Sequence, residues 1–74
     1  MSKSAQKQII NRLHRIEGQV RGIEKMLNEE EEVQKVLVQL DAIKAGVDSL
    51  KRNYVKEHVR STLYEELESI LELI

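Results

Sequence analysis

Apolar residues recur along this chain at helical spacing, in three stretches. In the first they fall at Ile9, Leu13, Ile16, Val20, Ile23 and Leu27, with Ile10 and Met26 widening the stripe. Alternating steps of four and three place them in one seam of an α-helix. The second stretch repeats this rhythm at Val33, Val36, Leu40, Ile43, Val47, Leu50 and Tyr54. The third carries Leu63, Leu67, Ile70 and Ile74, flanked by Tyr64 and Leu71. The pattern predicts an all-α chain with helices over about 5–28, 31–60 and 62–73.

The ends of these helices carry their own signals. Ser2 or Ser4 can cap the first helix, and Asn28 can close it, because asparagine tolerates the left-handed conformation. Glu29 to Glu32 stand where the second helix begins. There the helix dipole favours each carboxylate by ~0.3–1 kcal/mol, so capping is the expected role rather than metal binding. Thr62-Leu63-Tyr64-Glu65 fits a capping box, so a short third helix starting near Thr62 is expected. A continuous helix from 31 to 73 is the alternative, since no glycine or proline forces a break.

Two long helices with a tight joint make an antiparallel hairpin. One hairpin covers only part of each stripe, and Ile10, Met26, Leu37 and Val55 are left facing outward. A second hairpin completes a four-helix dimer, and the third helix, also striped, can join dimers into a tetramer. Length supports this expectation. With 74 residues the chain forms a single domain over 1–74, too small to bury a large core alone. It has no cysteine, so no disulfide can staple it and no thiol chemistry is open to it. The start, MSKSAQKQ, has no leader pattern and no apolar run is long enough to span a bilayer, so the cytoplasm is the expected compartment.

Net charge is −1, but it is unevenly spread. Residues 1–28 carry six Lys/Arg against two Glu, and residues 33–60 six against three acids. Residues 29–32 are four glutamates, and residues 61–74 hold four more with no base. On a wheel with Ile9 at zero, Arg12 and Arg15 fall near −60° and −120°, with Gln19 at about −80° between them. Lys3, Lys7, Arg21 and Lys25 cluster on the other flank. Leu37, Lys44, Lys51 and His58 are each seven apart and form one line on the second helix. Lys25, Lys35 and Lys56 each have a glutamate within a turn and read as paired surface charges; Arg12 and Arg15 have no acid four residues away. Multiplied by oligomerisation, these arginines make a cationic surface suited to phosphates. With two tyrosines as the sole aromatics, duplex DNA fits better than stacked single strands. No helix-turn-helix pattern is present. Gly18 and Gly22, four apart on the first helix, each cost ~1 kcal/mol and suggest close approach by another backbone or a ligand.

The string Arg12-Leu13-His14-Arg15-Ile16-Glu17-Gly18-Gln19-Val20-Arg21-Gly22-Ile23 closely resembles the signature of the CsoR/RcnR family of bacterial repressors. Val36-Leu37-Val38-Gln39-Leu40-Asp41-Ala42-Ile43-Lys44 and Glu57-His58-Val59-Arg60 resemble its second-helix motif and its His-containing end. The resemblance covers roughly residues 5 to 63. It implies a three-helix protomer, a four-helix dimer and a disc-shaped homotetramer that binds double-stranded operator DNA without helix-turn-helix domains. It also implies release by an inducer such as copper, nickel or cobalt, formaldehyde or reactive sulfur. It places DNA contacts at Arg12, Arg15 and Lys44, and Arg21 of the same string completes the candidate set.

Departures from the family are equally informative. Family sensors have a cysteine where Val33 stands, and valine is neither ligand nor nucleophile. Thr62 stands where the copper branch has another cysteine, an ending nearer to the formaldehyde-responsive branch, and the tail after Thr62 is shorter than usual. What remains is His58 with Glu57, Thr62 and Glu32 as neighbours, at best a weak zinc or nickel site. A structural role for His58 is expected over a ligand role. The expected function is an operator-binding repressor with an altered or absent inducer site, holding at most a weakly bound transition metal. The alternative is a helical adaptor that does not bind DNA, mixing with a cysteine-bearing paralogue. No Ser-His-Asp set, phosphate loop or paired-carboxylate pocket supports an enzyme.

Overall fold

Heptad seams of this kind need a partner helix, and the first partner is the chain itself. The computed structural model describes all 74 residues. Two helices, α1 (Lys3–Asn28) and α2 (Val33–Glu72), pack antiparallel, with no strand. Ser2 is the N-cap of α1: its Oγ accepts from the Ala5 N–H at 3.1 Å. Ile23 and Ala5 are buried, and Ile9, Ile16 and Met26 are half-buried on the same face. Across from them, Val36, Ile43, Gly46 and Leu50 are the half-buried face of α2. No helix is long and apolar enough to cross a membrane.

The joint differs from the expectation for Asn28. Asn28 stays helical, Glu29 is the C-cap, and Glu30 takes the left-handed conformation with φ 53°. The Glu30 N–H donates to the Leu27 carbonyl at 3.2 Å and the Glu31 N–H to the Met26 carbonyl at 2.9 Å. These two bonds are the Schellman pattern, which needs one left-handed residue just past the cap. The bonds decide which residue that is, and glutamate bears a steric cost that glycine would not. Glu30→Gly is therefore expected to stabilise the protein by about 1 kcal/mol, read as a rise in the urea midpoint at unchanged slope. The acidic run also sits differently. Glu32 is the N-cap of α2 without a side-chain bond, and the first turn of α2 contains no acid. Glu29 and Glu31 instead pair with Lys25 and Lys35, at 4.0 and 3.3 Å.

The short third helix is absent as a separate element, because α2 runs unbroken to Glu72. Thr62 does not cap anything. Its Oγ1 donates to the His58 carbonyl at 3.0 Å, four residues back, a bond that a helix interior accommodates. With no glycine or proline nearby, nothing interrupts the backbone ladder. The last third of α2 consequently projects past the start of α1.

The hairpin is a single layer, 66 × 18 × 9 Å, with a radius of gyration of 18.5 Å. A compact chain of this length would have a radius near 11 Å. The accessible surface is 6459 Å² for 8.6 kDa, where a compact monomer would expose about 4,700 Å². Large apolar side chains contribute to that surface. Leu13, Val20, Leu27, Leu40, Val47 and Tyr54 are all exposed although they belong to the seams.

Candidate nucleic-acid interface

The two broad faces of the hairpin differ in chemistry. On one, Arg12, Arg15, Ile16 and Gln19 of α1 meet Ala42, Gly46 and Ser49 of α2 around a shallow cleft of about 260 Å³. Arg12 Nη1 donates to Ser49 Oγ at 3.2 Å, which holds the guanidinium at the cleft edge. Arg15 is exposed and forms no ion pair; Glu17, the one acid near it in sequence, pairs with Arg21 at 3.9 Å. The exposed apolar residues lie on the other face. Leu40 and Val47 are each two positions from Ala42 and Ser49, and Leu13 is two from Arg15. Two positions are about 200° round a helix, so Arg15 and the apolar stripe point away from each other, while Arg12, one position from Leu13, stands at the cleft edge between them.

The other candidate residues are placed apart from this cleft. Lys44 is exposed and lies two positions from both Ala42 and Gly46, hence about 200° from the cleft and beside the apolar face. Arg21 is 72% exposed and held loosely by Glu17, a contact worth little in water. One protomer thus brings together Arg12 and Arg15, but not Lys44 or Arg21. Glu57 pairs with Arg60 at 3.4 Å, and Lys56, expected to be paired, has no carboxylate partner. Gly18 and Gly22 have open space where a Cβ would stand, so no part of the protomer makes the close approach expected of that pair. Gln19 and Ser49 escaped the sequence reading as a pair of neighbours; only the register of the hairpin brings them to the same cleft.

His58 does not gather ligands. It is exposed, and no group of three His, Cys, Asp or Glu side chains is placed to hold a metal ion. Glu32, expected beside it, caps the far end of α2, about 39 Å away at 1.5 Å per residue. Copper(I) selects thiolate and thioether donors. This chain offers no cysteine, its two methionines, Met1 and Met26, stand at opposite ends of α1, and its histidines, His14 and His58, stand on different helices. The donor set of the protomer does not fit a soft ion.

Comparisons with known proteins agree with the helical signature. A family model described as a metal-sensitive transcriptional repressor matches residues 5–74. The chain is 34% identical over 68 residues to the copper-sensing transcriptional repressor CsoR of Bacillus subtilis strain 168, covering 92% of this chain and 67% of that protein. It is 42% identical over 48 residues to the copper-sensing transcriptional repressor RicR of Mycobacterium tuberculosis H37Rv, covering 65% of this chain and 50% of that one. The matches thus span between half and two thirds of those relatives. No solved structure matches significantly. These relatives regulate transcription and are not enzymes. The chain belongs to the CsoR family of metal-sensitive transcriptional repressors.

Proposed function

We propose that this protein is a repressor that binds duplex operator DNA as a tetramer and does not release it in response to copper. The observation that carries the reading is the placement of Arg12 and Arg15 at one cleft, with Arg15 on the face opposite the exposed apolar stripe and Arg12 at the cleft edge. Copies that pair through the stripe leave both arginines turned outward, without acids to neutralise them. Assembly multiplies the charge and sets Lys44, beside the apolar face, at the rim of the interface, where it joins the arginines of other copies. Arg21 adds charge farther out. Phosphate contacts of this kind give affinity and register, without a groove-reading helix.

The absence of a copper response follows from the donors. Val33 and Thr62 stand where the resemblance places cysteines, and neither can bind the ion. Fluorescence anisotropy with DNA from upstream of the protein's own gene tests both halves. Binding is expected at 50 mM salt and should weaken about 10³-fold or more by 200 mM. Copper(I) added to the complex is expected to leave the anisotropy unchanged, and release by stoichiometric copper would refute that half. No binding at 50 mM salt would overturn the repressor reading in favour of a helical adaptor.

A further inference from the structure

The cleft between α1 and α2 is lined by hydrogen-bond donors. None of its seven lining residues is a carboxylate. Arg12 gives one N–H to Ser49 Oγ, and Arg15 gives none to any part of the chain. The Ser49 hydroxyl accepts that bond and donates to nothing in the protein, and the Gln19 amide is equally free. Backbone carbonyls do not compete for these donors, because those of both helices are taken by their own ladders. Two guanidiniums, an amide and a hydroxyl therefore converge on one recess. A group with several acceptor oxygens and two negative charges matches that set, and a cation does not.

The floor of the recess favours an occupant that enters it. Gly46 stands there, in the interior of α2, where glycine lowers helix stability relative to alanine. Packing does not require it: a Cβ on Gly46 would meet the Ile16 side chain at 3.8 and 3.9 Å, an ordinary contact. What the missing Cβ leaves is depth between Arg12, Arg15 and Ser49. At about 260 Å³ the cleft suits a single phosphate group and a few atoms more. A backbone phosphate of DNA is a diester with one charge, flanked by sugars that hold it at the rim. A phosphate monoester carries nearly two charges at pH 7 and has three free oxygens to reach the floor.

We propose that this cleft binds a free phosphate monoester, a small dianionic metabolite, and that its occupation competes with operator DNA for Arg12 and Arg15. The site rests on the cleft alone, and the competition rests also on the proposed operator binding. A signal of this kind needs neither the thiols that the chain lacks nor a metal.

Two-dimensional NMR of the full chain without DNA, titrated with glycerol 3-phosphate at constant ionic strength, tests the site. Saturable shifts are expected at the Gly46 and Ser49 amides and at the Arg12 and Arg15 Nε–H groups, with a midpoint of about 1 mM. Gly46→Ala is expected to raise that midpoint about tenfold, with helical circular dichroism kept and a melting temperature no lower than the parent's. No saturable shift, or a Gly46→Ala chain that binds as the parent does, overturns the site. Dimethyl phosphate, a diester of single charge like the DNA backbone, is expected to bind about tenfold more weakly. Equal binding of the two would make the cleft a seat for DNA backbone and overturn the assignment to a free monoester. Anisotropy of the operator complex tests the competition: glycerol 3-phosphate is expected to release DNA where sodium chloride of the same ionic strength does not. Equal release by the two salts overturns the competition. A chain that binds no operator at about 50 mM salt overturns the repressor reading instead, and the shifts alone then decide the site.

Discussion

A chain carrying Val47→Glu is expected to be a largely unfolded monomer at concentrations where the parent is a folded oligomer. Val47 is in the seam of α2, yet 45% of it is exposed in the protomer. It sits in the middle of the stripe formed with Leu40 and Tyr54, alongside Leu13 and Val20 of α1. Two residues of 74 are buried in the hairpin alone, too few to offset the entropy of ordering the backbone. On the proposed assembly, the missing stability comes from the face that Val47 occupies. A carboxylate buried there without a partner costs several kcal/mol, and a two-fold contact incurs that cost twice. A domain this size has about 7 kcal/mol in total. Sedimentation and circular dichroism together read the outcome, with Val47→Ile as the variant that keeps both assembly and helicity. The parent's melting temperature should rise with concentration, as association requires. A helical monomer of Val47→Glu, melting where the parent melts, would remove the basis for obligate assembly.

The two long helices and their seams were legible in the sequence because a helix buries one stripe, and Ile9, Ile16, Ile23, Val36, Ile43 and Leu50 keep that spacing without interruption. Ser2 was one of two named caps for the same reason: a hydroxyl just ahead of a helix has one favourable use. The joint was misread at Asn28 because residue preference was weighed without the hydrogen bonds, which put Glu30 in the left-handed position. Thr62 misled in a similar way. A threonine followed by a glutamate three residues on fits a cap and an uninterrupted helix equally well. The absence of any local breaker decided for the latter. At the candidate site, spacing put Arg12 and Arg15 on one flank but could not relate them to Ser49, since that depends on the register of the hairpin. Lys44 shows the complementary limit. Its sequence motif places it in the expected DNA-binding set, yet the hairpin points it away from the arginines; on the proposed assembly, other copies complete the set.

Arg15→Ala and Lys44→Ala are expected to weaken operator binding about 10²–10³-fold each at 0.1 M salt, with folding and assembly unchanged. Arg15 is exposed, has no acidic partner and lies on the outward face, so its removal disturbs no contact of the hairpin. Each phosphate contact contributes about 0.9 to the slope of log affinity against log salt, so the slope should fall by about 2–4 as a tetramer loses two to four contacts. Because phosphates carry no sequence information, the loss should be nearly equal on operator and unrelated duplexes. Arg15→Lys separates charge from geometry: it should keep most of the slope while losing the two-pronged contact that a guanidinium makes. Arg21→Ala should weaken binding less, because Glu17 already offsets its charge and it lies off the cleft. A slope unchanged by Arg15→Ala would mean that DNA lies elsewhere on the assembly, and equal losses for Arg15 and Arg21 would reduce the cleft to a diffuse positive field.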